Sequence, residues 1–169
     1  MKKLLFLLVF ITSFSFGQDV KVIENKVCEL YKTYSKKRGI NAIVRTELDS
    51  LSFCQVRYLS SLENISQMSH TTSFEGLESF HQRVIYFYQY TNESHFAEVL
   101  SGFYKGDNNY GNEDEIAKKL FGLLLSSPPH KKILDKRINK SYTFRVTRTL
   151  NGSYILIGVL SGDETFFLR

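Results

Sequence analysis

Apolar residues recur at helical spacing in three stretches of this chain and alternate at strand spacing in a fourth. Ile23, Val27, Leu30, Tyr31 and Tyr34 lie three or four apart and predict a helix over residues 20–36. Lys36, Lys37, Arg38 and Gly39 suit its end, because cations complement a helix C-terminus and glycine suits the residue beyond. Leu51, Cys54, Tyr58, Leu62 and Ile65 form a second stripe. Thr46 is its expected N-cap, with Asp49 three residues on as a variant capping box, and the helix ends before His70. Ile116, Leu120, Phe121 and Leu124 form a third stripe. Asn112 caps it, Glu113, Asp114 and Glu115 complement its dipole, and Pro128 and Pro129 stop it.

The alternating stretch is Tyr142, Phe144 and Val146 against Thr143, Arg145 and Thr147. Asn151-Gly152 then predicts a type I′ hairpin turn, and residues 154–160 return as a more apolar, more central strand. Residues 165–168 suggest a short terminal strand. Residues 74–84 suit a shorter helix, with Gly76 against it, and residues 84–90 either extend that helix or form a strand. Residues 92–94 and 102–111 read as turn and loop. Helices first and an antiparallel hairpin last imply an α+β fold, a sheet covered by helices.

The amino end changes the picture. Lys2 and Lys3, the apolar run from Leu4 to Ile11 and the small-x-small triplet Ser15-Phe16-Gly17 read as a signal peptide over residues 1–17. Residues 18–169 then form one domain, secreted or periplasmic, with no cysteine at the cleavage site for a lipid anchor and no later stretch apolar enough to span a membrane. The formal net charge of +5 falls to about +3 once Lys2 and Lys3 are removed, which argues against a nucleic-acid partner. Export makes a Cys28–Cys54 disulfide chemically accessible, with two buried thiols as the alternative.

Three residues stand out for chemistry. His70 follows a helix end, in a loop, where functional side chains concentrate. Glu98 is a single charge among Phe96, Ala97, Val99 and Leu100, and a buried carboxylate needs a partner. His130 follows two prolines at the expected helix end, where the dipole favours a protonated ring. His81 and His95 read as surface positions. No H-E-x-x-H, G-x-S-x-G, Walker loop or C-x-x-C is present, so no local signature makes this an enzyme.

In order, these features resemble the CAP superfamily (cysteine-rich secretory, antigen 5 and pathogenesis-related proteins), nearest its small bacterial secreted, SCP-like branch. A helix leads to His70, Ala97-Glu98-Val99 stands at the family's glutamate segment, and Ser126-Ser127-Pro128-Pro129-His130 stands at its Ser-Pro-x-His motif before the hairpin. Leu124 replaces the usual tryptophan, and Ala97 and Val99 replace glycine and asparagine. The resemblance implies a three-layer α-β-α sandwich around a central antiparallel sheet. It also implies a cleft formed by His70, Glu98 and His130, with zinc as a possible ion at His70 and His130. A glutamate about 5 Å from an imidazolium interacts by roughly 3 kcal/mol at an effective dielectric of 20, which would raise the histidine pKa values.

Three functions follow from this reading. The first is a secreted, non-catalytic module that binds a small molecule, lipid or extracellular partner at the cleft. The second is a metal-assisted hydrolase with Glu98 as base or ligand. In the third, the trio only stabilises the fold.

Overall fold

The computed structural model describes residues 2–88, 95–104, 106 and 112–162, with side chains from residue 20 onward. The elements are α1 (Lys2–Lys37), β1 (Ile43–Val44), α2 (Asp49–Ser60), α3 (Phe80–Tyr88), β2 (His95–Phe103), α4 (Glu113–Ser126), α5 (Pro128–Leu134), β3 (Asn139–Arg148) and β4 (Tyr154–Gly162). The fold is α+β, as the patterning predicts.

The hairpin of β3 and β4 organises the sheet. Its register runs antiparallel from Asn139↔Gly162 to Arg148↔Tyr154, and β2 pairs antiparallel along the other side of β4. The strand order is β1-β3-β4-β2. β4 is therefore central, and it is buried at every position, as its apolar composition implies. One correction concerns the expected antiparallel sheet: β1 runs parallel to β3, so the sheet is mixed. A second concerns the turn. Only Gly152 has positive φ, at 82°, and a type I′ turn needs positive φ at both central residues. The Thr149 N–H instead donates to the Ser153 carbonyl, and three residues form the loop with glycine at its left-handed position. The Asn151 side chain accepts from the Ser153 N–H and so acts as turn scaffold.

Strand alternation sorts the core to two faces. Val99, Tyr142, Phe144, Val146, Tyr154, Leu156 and Leu160 meet Ile23, Val27 and Tyr31 of α1 and Leu120, Phe121 and Leu124 of α4. Leu100, Ile155 and Ile157 meet Leu59 of α2 on the opposite face, and Val159 meets Leu51 there, with Phe80 and Val84 of α3 packed alongside. Helices thus lie on both faces of the sheet, as a three-layer arrangement requires. Gly158 lets the layers close: a Cβ there would lie 2.7 Å from Cγ2 of Val99.

Element ends differ from the periodicity in physical ways. Thr46 is not the cap of α2, because a 3-10 turn over Thr46–Leu48 precedes that helix. Asp49 is drawn instead to β3, accepting from Thr143 Oγ1 at 2.6 Å and Arg145 at 3.1 Å. α2 stops at Ser60, and a second 3-10 turn over Ile65–Gln67 carries the capping box, built on Asn64 and Gln67. Residues 84–88 extend α3 rather than form a strand. Asn112 caps α4 by accepting from the Glu115 N–H at 3.0 Å. The turn expected over 92–94 and the terminal strand over 165–168 lie outside the described residues.

Both cysteines are free. Cys28 of α1 and Cys54 of α2 belong to helices on opposite faces of the sheet, so no bridge joins them. Burial pushes the Cys28 thiol up to about 11. Among the described residues no helix is long and apolar enough to cross a membrane.

Candidate functional site

β2 is an edge strand, and Glu98 lies near its middle, opposite Val159. It points to the α2/α3 face, on the same side as Phe96 and Leu100, and its side chain is 1% exposed. A carboxylate so buried needs partners on both oxygens, and it has them. Oε1 lies 2.9 Å from Nδ1 of His70, and Oε2 accepts from Nη2 of Arg83 at 2.8 Å.

Sequence reasoning does not single out Arg83, yet it is the hub of the site. It is among the largest fully buried side chains of the chain. Its Nη1 donates to the carbonyls of Leu77 and Glu78 at 3.3 and 3.1 Å, and its Nη2 also reaches the His70 carbonyl at 3.4 Å. One guanidinium therefore holds the carboxylate, the backbone of the histidine that the carboxylate meets, and the loop between them. A signal is present in the chain. Phe80, Arg83, Val84 and Tyr88 share the inward stripe of α3, and a charge inside an apolar stripe requires a buried partner. Gln55 does similar service from α2: it is fully buried, and its Nε2 donates to the Ser69 carbonyl just before His70.

His70 is half exposed, with one ring edge tied to Glu98 and the rest of the ring towards solvent. Among the described residues no hydrogen bond or ion pair links His130 to His70 or Glu98. The pKa of His130 lies below the ordinary histidine value, first because of partial burial and then because the charge on His70 is felt there. The direction corrects two expectations. Pro128 and Pro129 stop α4, but they also open α5, as prolines do at the first positions of a helix. His130 thus sits in the first turn of α5 rather than at a helix C-terminus, and the expected support for a protonated ring is absent. Nor does Glu98 raise the pKa of His130, for its charge is taken by Arg83. His95, expected at the surface, is buried at the start of β2.

The donor set does not fit a resident zinc ion. Catalytic zinc sites use three protein ligands. Glu98 is saturated by Arg83 and His70, which leaves two imidazoles, and among the described residues no group of three or more His, Cys, Asp or Glu is placed to hold a metal. A metal or a proton taken at Oε1 of Glu98 displaces His70, and a proton also leaves the buried Arg83 without its counter-charge, at a cost of about 3–5 kcal/mol. An apolar groove of about 280 Å³, lined by Phe53, Val56, Phe87, Asp49 and Arg145, lies on the α2/α3 face apart from the histidines.

No model of a known protein family matches the chain. No curated protein matches it either. Among solved structures it is similar to an outer surface protein from Borrelia burgdorferi. The identity is 19% and the TM-score 0.57, over 87% of this chain and 94% of that one. At that identity the likeness concerns the fold.

Proposed function

We propose that this chain is a secreted, CAP-like binding module without catalytic activity, which takes a small organic ligand at the His70–Glu98–His130 cleft. The observation that carries the reading is the construction around Glu98. A buried arginine, a buried carboxylate and a half-exposed imidazole are held in sequence, so that all the polarity of the arrangement reaches solvent through one ring. A structural ion pair needs no exposed third member. The chain order of the three residues matches the CAP pattern, and the likeness to a protein named for the outer surface accords with export.

The binding reading is favoured over the hydrolase one because Glu98, the base or ligand a hydrolase would use, is engaged by His70 on one oxygen and Arg83 on the other. The purely structural reading predicts a different response to mutation. His70→Ala takes the donor from one oxygen of the buried Glu98 while Arg83 keeps the other, so a folded protein that has lost about 1–2 kcal/mol is expected.

The test is a thermal-shift screen of amines, polyols and lipids against the wild type, His70→Ala and His130→Ala. A ligand that stabilises the wild type by mass action and neither variant supports the cleft. A ligand whose stabilisation survives both substitutions moves the binding site elsewhere, with the α2/α3 groove the next candidate. A melting loss of many degrees in His70→Ala, without any ligand effect, transfers the trio to a structural role.

A further inference from the structure

The geometry points to a fixed tautomer at His70, and through it to the chemical class of ligand the cleft accepts; the second step rests on the binding reading above. Glu98 forms an ion pair with Arg83 at 2.8 Å, with both side chains essentially out of solvent. An ionised carboxylate only accepts hydrogen bonds. Its second oxygen lies 2.9 Å from Nδ1 of His70, so Nδ1 is the nitrogen that carries the proton and donates. In a neutral imidazole one nitrogen donates and the other accepts, and the proton on Nδ1 leaves Nε2 with its lone pair.

Arg83 makes this arrangement rigid. It holds Oε2 of Glu98 and also the His70 carbonyl, so the carboxylate and the histidine backbone are positioned by one group. Gln55 adds a further bond at the Ser69 carbonyl, and Ser69 Oγ and Thr71 Oγ1 bond to each other at 2.8 Å across His70. Rotating the ring to present Nε2 to Glu98 means giving up the fixed contact at Nδ1. Arg83 is therefore a positioning residue: it touches no ligand, and it decides which atom of His70 does.

A neutral imidazole with a lone pair at Nε2 accepts. It recognises a hydroxyl or an amine, and it offers nothing to an ionised carboxylate, which also only accepts. With Glu98 withdrawn behind His70, a donor group on a small organic molecule is the complement of this cleft. The alternative, in which the carboxylate itself faces the ligand, is closed by Arg83.

Histidine ring ¹⁵N spectra of the labelled protein at about pH 8.5, where ordinary imidazoles are neutral, test this directly. The wild type is expected to show Nδ1 of His70 protonated and Nε2 bare. Glu98→Gln is expected to reverse the pattern, because an amide carbonyl turned to Arg83 turns its NH₂ to Nδ1. A bare Nδ1 in the wild type overturns the tautomer, and this measurement needs no variant to fold. Titration with ethanolamine is then expected to move the Nε2 signal, and acetate to leave it in place. The opposite order overturns the ligand class. No movement with either probe, with the tautomer as stated, overturns the ligand class together with the binding reading while the tautomer stands.

Discussion

The two ends of the sheet use the same pair of residues to different ends. Beside β3, Glu24 of α1 is buried and accepts from Arg145 Nε at 2.8 Å and from the Val146 N–H at 3.0 Å. β1 pairs with β3 only at Ser141 and Tyr142, so the carboxylate occupies a stretch of strand edge that β1 leaves unpaired. Arg145 continues to Asp49 of α2 at 3.1 Å and so ties the helices of the two faces together. On β2, Glu98 and Arg83 are held at the same 2.8 Å, but the third partner is His70, half exposed. One glutamate–arginine pair seals an edge. The other presents a ring. Distance alone does not separate them; what differs is where the remaining valence of the carboxylate goes.

The sharpest break of this comparison is the removal of each arginine. Arg83→Met leaves Glu98 without its buried counter-charge and releases the carbonyls of His70, Leu77 and Glu78. A loss of about 3–5 kcal/mol in urea unfolding is expected. Arg145→Met is milder, because Arg145 is 35% exposed and Glu24 keeps both the Val146 N–H and Lys21 at 3.1 Å. About 1–2 kcal/mol is expected there, the scale of one hydrogen bond to a charged group. Equal losses would show that the two pairs are energetically alike and that burial of the guanidinium does not set the difference.

Glu98→Gln comes next. It retains volume and a hydrogen bond to Arg83 but leaves the guanidinium with no counter-charge. A loss of about 2–3 kcal/mol is expected, between the two arginine variants, and chemical denaturation places it. Smaller is His70→Ala, at about 1–2 kcal/mol, because one oxygen of the buried Glu98 loses its donor while the other keeps Arg83. Its value lies in the contrast: a modest loss of stability, and all ligand-induced stabilisation lost. A large stability loss here would erase the distinction between the sealed edge and the presenting one.

Much of this arrangement is visible in the chain, and what is hidden has specific causes. The hairpin, the α1 and α4 stripes and the Asn112 cap follow from local periodicity and capping chemistry, which act over a few residues. The isolation of Glu98 among apolar residues implies burial, and burial implies a partner. A histidine is the partner the chain order suggests, but two groups share the carboxylate, and the stronger one, Arg83, lies in a run in which strand and helix compete. Once residues 80–88 are a helix, Arg83 falls on its inward face. Pro128-Pro129 carries the opposite lesson: prolines end one helix and begin another, and only the distance to the next apolar residue, Ile133 and then Leu134, separates the two. Cys28 and Cys54 show the limit of counting, since an even number of thiols says nothing about which face of a sheet each helix covers.

The smallest predicted effect belongs to His130, and its sign follows from where the ring sits. Its folded pKa is below the ordinary value, so the unfolded chain takes up the proton more readily. Near pH 8 and above, well over the ordinary value of about 6.5, the ring is neutral in both states and contributes nothing to the pH dependence. As the pH falls through the ordinary value towards the depressed one, the unfolded state gains protons that the native state refuses, and stability declines. Partial burial is the first cause of that depression and the electrostatic interaction with His70 the second. His130→Gln removes the penalty, so its urea midpoint is expected to depend less on pH between 8 and 5 than that of the wild type, with the two curves meeting at the alkaline end. Arg145→Met leaves both histidines in place, so it is expected to shift the curve without changing its slope. If His130→Gln instead leaves the slope unchanged, the ring is solvated as an ordinary surface histidine and does not share an electrostatic site with His70.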